Sequence, residues 1–229
     1  MKAIVLAAGL GTRLKPITNK IPKCLVEING RPLLGKWLDD LSNSGVNEIL
    51  INTHYLSDQV LDYLSKSKYR DLVEISHEKK LLGTAGTLIK NLDFFENEGG
   101  LLIHADNYCN LDLKSFYLAH KNRPATCELT IVTFNTTDPQ NCGILEMDKN
   151  GIVFNIFEKV KIPKGNIANG AIYFLSPSFI QILRENHSNS IDFVNDILIN
   201  YLGKIFTFHT NDLFVDIGTP EALNSLKYF

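Results

Sequence analysis

The sequence predicts an α/β fold with a mixed, mainly parallel sheet flanked by helices. A continuous apolar run, Ala3 to Ala8, ends at a pair of glycines and is typical of a buried parallel strand. Strand and helix patterns then alternate, which favours right-handed crossovers between parallel strands. Near residue 125 the pattern changes, and strands follow one another. We therefore expect a single domain, residues 1–229, with one lobe over about 1–124 and a second over about 125–229.

In the first lobe, Pro32 opens a helix that Gly45 ends, and Trp37 lies on its apolar face, so Trp37 is predicted to be a core residue. Ser57 is predicted to cap the next helix, and Thr84 is a second candidate cap, for a helix carrying Ala85 to Leu92. The predicted strands of this lobe are Ala3–Ala8, Cys24–Ile28, Val46–Asn52, Leu72–Ser76 and a run that begins at Leu101.

The second lobe is predicted to contain a hairpin turn at Asp148-Lys149-Asn150-Gly151 and a helix that starts at Ser176-Pro177. Further helices are expected over Ile191–Tyr201 and Pro220–Tyr228. The predicted strands are Cys127–Phe134, Gly143–Met147, Ile152–Phe157, Ala168–Leu175 and short segments around Phe206 and Phe214.

Composition excludes several classes of protein. A net charge of -2 gives no general attraction to nucleic acid or to an anionic membrane, so phosphate binding must come from local cations. No apolar stretch is long enough to span a bilayer. The four cysteines are widely spaced and form no metal-binding pattern, which favours buried thiols in a reducing, cytoplasmic setting.

Small residues, backbone amides and cations follow the first strand in an order that suits a polyphosphate. Gly9 and Gly11 allow a sharp turn whose amides form an anion-binding concavity. Arg13 adds a guanidinium fork, and Lys15 and Lys23 add point charges. The turn matches neither the dinucleotide pattern GxGxxG nor the P-loop pattern GxxxxGK[ST].

Residues 6–13, Leu-Ala-Ala-Gly-Leu-Gly-Thr-Arg, followed by Pro22-Lys23, resemble the opening signature of the sugar-phosphate nucleotidylyltransferases. These enzymes make NDP-sugars from an NTP and a sugar 1-phosphate. The resemblance implies the Rossmann-like nucleotide-diphospho-sugar transferase fold and catalytic roles for Arg13 and Lys23. The alternative is a βα turn of an unrelated α/β protein whose cations face solvent. The nucleotide-binding residues that the resemblance implies here are Leu6, Ala8, Gly9, Gly11, Thr12 and Arg13.

A second segment, Leu82-Gly83-Thr84-Ala85-Gly86, resembles the base-binding loop of this family. The resemblance implies that Gly83, Thr84 and the preceding Glu78 read the nucleobase. This form of the loop is similar to that of guanylyltransferases acting on manno-configured sugars. We therefore expect GTP as the nucleotide, with mannose 1-phosphate or manno-heptose 1-phosphate as the acceptor.

Two acids are candidate metal ligands. Asp106 follows a buried strand, which is a typical place for a metal-binding carboxylate, whereas Asp216 on local grounds could cap the last helix. Both match the aspartates that hold Mg²⁺ in the family, although His104-Ala105 stands where Asn-Gly is usual. Mg²⁺ favours few carboxylates together with phosphate oxygens and water.

The resemblance also implies a sugar-phosphate group in the second lobe. Cys142-Gly143 stands where the family has Tyr-Gly, and Phe157-Glu158-Lys159 contains its Glu-Lys pair, although such a pair can equally be a solvated surface ion pair. Asn169 matches a sugar-binding asparagine. The sugar-phosphate residues implied here are Asn107, Gly143, Glu158, Lys159 and Asn169.

The implied reaction is attack of a sugar 1-phosphate oxygen on the α-phosphorus of the NTP, with Mg²⁺ bridging the phosphates. The expected partners are these two substrates, with no nucleic acid and no membrane, in a monomer or homodimer serving nucleotide-sugar and polysaccharide biosynthesis. Two alternatives stay open. Transfer to phosphocholine would need an aromatic cage, and no cluster that fixes one is evident. A catalytically silent sensor of sugar nucleotides would be favoured by loss of Arg13, Lys23 or either aspartate, and none is lost.

Overall fold

The computed structural model describes residues 1–226, so the predicted end of the last helix at Tyr228 lies outside the described residues. The strands are β1 (Lys2–Leu6), β2 (Glu27–Ile28), β3 (Arg31–Pro32), β4 (Glu48–Thr53), β5 (Val73–His77), β6 (Gly100–His104), β7 (Asn107–Cys109), β8 (Leu129–Asn135), β9 (Gly143–Met147), β10 (Val153–Glu158), β11 (Ile167–Leu175), β12 (Ile205–Thr210) and β13 (Phe214–Asp216). The α-helices are α1 (Leu33–Asn43), α2 (Ser57–Ser65), α3 (Gly83–Lys90), α4 (Leu113–Lys121), α5 (Pro177–Asn186) and α6 (Pro220–Ser225).

The chain divides into two compact units, each assembled from segments that are distant in sequence. The first unit contains Met1–Leu81, Ile103–Cys109 and the chain from Leu213 onward. The second contains Leu82–Leu102 and Asn110–Asp212. Strand β6 therefore begins in the second unit and ends in the first.

Parallel strands form the core of the first unit. Strand β1 pairs with β4, and β4 pairs with β5, both in parallel, with Ile4 opposite Leu50 and Ile51 opposite Ile75. Ala3, Ile4 and Val5 are fully buried, which agrees with the apolar run in the sequence. Helix α1 buries its apolar face, including Trp37, which is 1% exposed. The core position predicted for Trp37 is confirmed.

The second unit contains the mixed part of the sheet. Strands β8, β9, β10 and β11 pair antiparallel, and β12 pairs with β8 in parallel. The predicted hairpin joins β9 to β10, and Asp148 fixes its turn by accepting hydrogen bonds from the amides of Asn150 (2.8 Å) and Ile152 (2.9 Å). Helix α5 starts at Ser176-Pro177 as predicted, and the Ser176 hydroxyl caps it by accepting from the Phe179 amide. The predicted α/β fold with a mixed sheet and flanking helices is confirmed.

Several local predictions are wrong. Ser57 does not cap α2, which Leu56 precedes in a left-handed conformation without a side-chain cap. The strand predicted at Cys24–Ile28 is reduced to β2, because Lys23–Leu25 form a 3₁₀ turn closed by a bond from the Val26 amide to the Lys23 carbonyl. The helix predicted over 191–201 is a π-helix, Phe193–Ile197, followed by a 3₁₀-helix, Leu198–Tyr201.

The four cysteines are free thiols, and three of them are buried. Burial raises the pKa of the Cys24 thiol to about 12, so this side chain behaves as a small apolar residue rather than as a nucleophile. Among residues 1–226, no helix has the length and hydropathy needed to cross a bilayer.

His120 on α4 is a buried imidazole that contacts an aromatic ring and a hydroxyl group. Its ring stacks on Phe174 with centroids 4.3 Å apart, and its Nδ1 lies 2.9 Å from the hydroxyl of Thr130. Burial disfavours the imidazolium, the charge of Arg123 disfavours it further, and the pKa of His120 is lowered from 6.5 to about 3.

The stability of the protein should therefore fall as the pH drops from about 6.5 towards 3. The unfolded chain binds a proton at His120 in this range and the folded chain does not, so acid favours the unfolded state. Between pH 7 and pH 5, protonation of His120 in the unfolded chain should lower the free energy of unfolding by about 2 kcal/mol. His120→Gln should flatten that dependence in urea titrations at the two pH values. His209→Gln, at an exposed position, should keep the wild-type dependence, and an unchanged slope in the His120 variant would contradict the assignment.

Candidate active site

A two-stranded ladder in the first unit brings together two acids from distant parts of the chain. Strands β7 and β13 pair antiparallel, with Asp216 opposite Asn107. Beyond the ladder, the Ile217 amide donates to the Asp106 carbonyl at 3.0 Å. Asp106 and Asp216, the carboxylate pair, therefore lie side by side. The alternative that Asp216 caps α6 is wrong, because the hydroxyl of Thr219 accepts the Ala222 amide there.

Helix α1 fixes this ladder in place. The indole Nε1–H of Trp37 donates to the Asn107 carbonyl at 2.9 Å, and the ammonium of Lys36 donates to the Cys109 carbonyl. Lys36 also pairs with Asp40 at 2.5 Å and lies over the ring of Tyr108, 5.2 Å from its centroid. Sequence reasoning missed Lys36, since a lysine on a helix is ordinarily solvated and only the fold shows its partners.

Lys23 supplies the cation of the site. The 3₁₀ turn at Lys23–Leu25 directs its side chain inward, where it is 10% exposed. Its Nζ lies 2.6 Å from Oδ2 of Asp106 and 3.3 Å from Oδ1 of Asp216. Burial alone would raise the pKa of Asp106, but the charge and hydrogen bond of Lys23, aided by His104, hold that pKa below its usual value. Both carboxylates thus share one ammonium.

The glycine turn that follows β1 is shaped at Gly11 rather than at Gly9. Gly11 has φ +62°, and a Cβ there would lie 2.7 Å from Cγ2 of Thr18, whose hydroxyl donates to the Gly11 carbonyl at 2.7 Å. Gly9 has no such φ, and a Cβ on it would meet nothing within 4 Å, so the sharp turn predicted at both glycines is confined to the second. Ala8 is buried and Thr12 opens the next 3₁₀ turn.

Arg13 extends from this turn to the carboxylate pair. Its Nη2 lies 3.6 Å from Oδ2 of Asp216, and more than half of its side chain is exposed. Gly218 makes this approach possible, because a Cβ there would lie 2.6 Å from that nitrogen and 3.1 Å from Oδ1 of Asp216. Sequence reasoning missed Gly218, although a glycine two residues after a candidate ligand was a visible signal.

Glu78, the predicted base reader, is buried directly after β5. It is 2% exposed, and its Oε1 accepts from the side-chain amide of Asn52 at 2.9 Å. The Asn52 Oδ1 accepts the Ala7 amide at 2.7 Å, just after Leu6 ends β1. Asn52 therefore joins the start of the glycine turn to Glu78. The sequence contained one sign of this residue, a polar side chain at the end of an apolar strand.

Gly83 and Thr84 lie in the second unit, at the start of α3. Gly83 has φ +78°, and a Cβ on it would collide with the carbonyl of Ile191. The predicted cap at Thr84 is wrong, because its hydroxyl accepts the Phe193 amide at 2.8 Å and no side chain caps α3. The loop is therefore held by the segment around Ile191 rather than by a local capping bond.

The structure clusters four of the predicted sugar-phosphate residues within the second unit. Gly143 pairs with Glu158, and a Cβ on Gly143 would lie 2.6 Å from Glu158 Oε2. Lys159 has φ +49°, and its ammonium lies 3.3 Å from Glu158 Oε1. Asn169 accepts the Ala171 amide at 2.7 Å and donates to the Tyr173 hydroxyl at 3.0 Å. Asn107, the fifth, belongs to β7 in the first unit and is buried.

The carboxylate pair fits a hard divalent cation. Both side chains already converge on a single positive centre, and anionic oxygens are the donors that Mg²⁺ prefers. No cluster of three or more His, Cys, Asp or Glu side chains suited to a metal occurs within the part of the chain that the structure describes. A cation held here would therefore complete its shell with water and phosphate oxygens.

Comparison with known proteins identifies the family of the chain. The family model described as nucleotidyl transferase matches residues 2–229. The chain is 31% identical to the D-glycero-alpha-D-manno-heptose 1-phosphate guanylyltransferase of Campylobacter jejuni, over 96% of each chain. It is similar to the crystal structure of HddC from Yersinia pseudotuberculosis complexed with GMP-PN, with a TM-score of 0.83 and 30% identity over 99% of this chain and 98% of that one.

Longer proteins also match. The chain is 29% identical to the mannose-1-phosphate guanyltransferase of Pichia angusta, over 96% of this chain and 62% of that protein. The chain spans 62% to 64% of the length of five relatives that are named as mannose-1-phosphate guanyltransferases.

Gly218→Ala should weaken nucleotide binding without unfolding the protein. The added methyl meets the ends of two movable side chains, so the free energy of unfolding should change by less than about 1 kcal/mol. Arg13 must move away, and because the sequence predicts that Arg13 binds phosphate, its displacement should weaken the binding of a nucleoside triphosphate about tenfold in calorimetry. In an Arg13→Ala background the same change should add little. A further tenfold loss in that background would show that Gly218 acts through another group.

Proposed function

Since the chain belongs to the nucleotidyl transferase family, we propose that it transfers a nucleotidyl group from an NTP to a sugar 1-phosphate and releases pyrophosphate. The observation that carries this proposal is the meeting of Lys23, Asp106 and Asp216 beside Arg13. Two carboxylates, a buried ammonium and an exposed guanidinium suit a reaction whose participants are all phosphates.

In the proposed reaction a phosphate oxygen of the sugar 1-phosphate attacks the α-phosphorus. A new P–O bond forms, the bond from that phosphorus to the bridging oxygen breaks, and pyrophosphate leaves with the electron pair. No general base is needed, because the attacking phosphate is already ionised at neutral pH. The protein therefore contributes mainly position and charge.

The chain's own groups divide this work. Lys23 holds the two reacting phosphates close despite their repulsion, and Arg13 neutralises the leaving pyrophosphate. Asp106 and Asp216 would bind Mg²⁺, which supplies a Lewis acid for the phosphate oxygens. In the second unit, Glu158 and Asn169 would bind sugar hydroxyls, the Gly143 backbone would touch the sugar, and the ammonium of Lys159 would bind the sugar phosphate.

The nucleotide is proposed to be GTP, on the chemistry of Glu78. An ionised carboxylate only accepts hydrogen bonds. Guanine presents two adjacent donor groups, N1–H and N2–H₂, on its Watson–Crick edge. Each of the other bases presents only one donor group on that edge, with an acceptor beside it. The bond from Asn52 fixes the carboxylate at one oxygen. The names of the C. jejuni relative and of the GMP-PN complex agree with this assignment, and they favour a manno-configured sugar.

Pyrophosphate release should be measured with Mg²⁺ across GTP, ATP, CTP, UTP and dTTP, against the 1-phosphates of mannose, manno-heptose, glucose and N-acetylglucosamine. We expect release with GTP and a manno sugar. Preference for another base would contradict the guanine assignment. Nucleotide binding without release from any sugar would favour a non-sugar acceptor such as phosphocholine, or a sensor.

Glu78→Gln should lower kcat/KM for GTP by about 10- to 100-fold. The reason is that one carboxylate oxygen, which would accept from guanine, is replaced by an NH₂ group that can only donate. The ratio of UTP to GTP turnover should rise in the same variant. Glu74→Gln, on the exposed face of β5, should match the wild type in both respects. Unchanged preference for GTP in the Glu78 variant would show that another group reads the base.

A further inference from the structure

One ammonium is the counterion of both proposed metal ligands. Nζ of Lys23 lies 2.6 Å from Asp106 and 3.3 Å from Asp216, on a side chain that is 10% exposed. The 3₁₀ turn that carries Lys23 is closed by backbone bonds on both sides, so the side chain starts from a fixed point. The same oxygens that would bind a divalent cation therefore already lie against a positive charge of the protein itself.

A divalent cation and this ammonium cannot share these oxygens at low cost. Two positive centres a few ångströms apart repel strongly in a half-buried site, where water screens them less than in bulk. Binding of the cation must therefore move the Lys23 ammonium away. The ammonium needs a new anionic partner when it moves, and the phosphates of the NTP are the group that the proposed function assigns to it.

We propose that Lys23 competes with the divalent cation for Asp106 and Asp216, so that cation and nucleotide bind together rather than singly. The triphosphate draws Lys23 from the carboxylate pair, and the cation takes its place with phosphate oxygens completing the shell. This inference rests on the proposed function, because it requires the carboxylate pair to be the metal site. By linkage, the nucleotide strengthens cation binding by the same factor by which the cation strengthens nucleotide binding.

The test is the affinity of the full chain for Mn²⁺, measured from the paramagnetic resonance of free Mn²⁺ with and without a non-hydrolysable GTP analogue. Lys23→Met should bind Mn²⁺ alone at least about fivefold more tightly than the wild type, and the strengthening by the analogue should shrink by a similar factor. Lys23→Arg should keep the weak Mn²⁺ binding of the wild type. Lys20→Met removes a nearby exposed lysine and should change the affinity less than twofold.

Wild-type or weaker Mn²⁺ binding by a folded Lys23→Met would overturn the competition. Should that variant fail to fold, as judged from its thermal transition, Lys23→Gln provides the same comparison with a polar, uncharged side chain. Asp106→Asn distinguishes a failure of the proposed metal site from a failure of the competition alone. If it binds Mn²⁺ and the analogue as the wild type does, the proposed metal site itself fails. If it loses Mn²⁺ while Lys23→Met shows no gain, only the competition fails.

Discussion

Electrostatic repulsion between Asp106 and Asp216 is the constraint that the rest of the first unit must satisfy. Two carboxylates held side by side in a half-buried place destabilise the fold unless positive charge reaches them. Lys23 provides that charge to both, and Arg13 adds a second cation at Asp216. The two cations that are proposed to bind phosphates are thus also the groups that make the two acids compatible with folding.

Backbone pairing, not the acids themselves, determines where the carboxylates lie. The ladder of β7 and β13 aligns Asp216 with Asn107, and helix α1 holds β7 through Trp37 and Lys36. Trp37 serves two purposes, since its ring fills the core while its Nε1–H satisfies a carbonyl of the ladder. A change in the packing of α1 is therefore transmitted to the acids by hydrogen bonds.

The sequence predicted correctly those structural features that depend on residues close together in the chain. The apolar run of β1, the helix opened at Pro32 and the turn at Asp148 are all determined by residues within a few positions. Gly11, Arg13 and Lys23 were recognisable because they belong to one short signature. Gly218 and Lys36 were missed, because the partners that give them a role at the site, Arg13 for Gly218 and the Cys109 carbonyl for Lys36, are distant in sequence.

The predicted helix cap at Thr84 is wrong for a related reason, because a residue distant in sequence takes the hydrogen bond. A threonine at the start of a helix satisfies the local rule for a cap, but its hydroxyl is used by the Phe193 amide instead. That amide comes from a segment more than 100 residues away in the chain. A cap contributes about 1 kcal/mol, so a tertiary hydrogen bond of similar strength is enough to replace it.

Asn52 links two groups of the first unit that are proposed to contact the nucleotide, the start of the glycine turn and Glu78. Its Oδ1 accepts the Ala7 amide, which requires its amide nitrogen to face Glu78, and that nitrogen donates to Oε1. The orientation of the asparagine is therefore set by the backbone at the start of the glycine turn. Because one side chain makes both bonds, the carboxylate that would read the base is positioned by the same strand that leads into the glycine turn, whose amides are proposed to bind phosphate. Asn52 is thus a buried polar link between the glycine turn and Glu78, and it is stable only because each of these bonds is made.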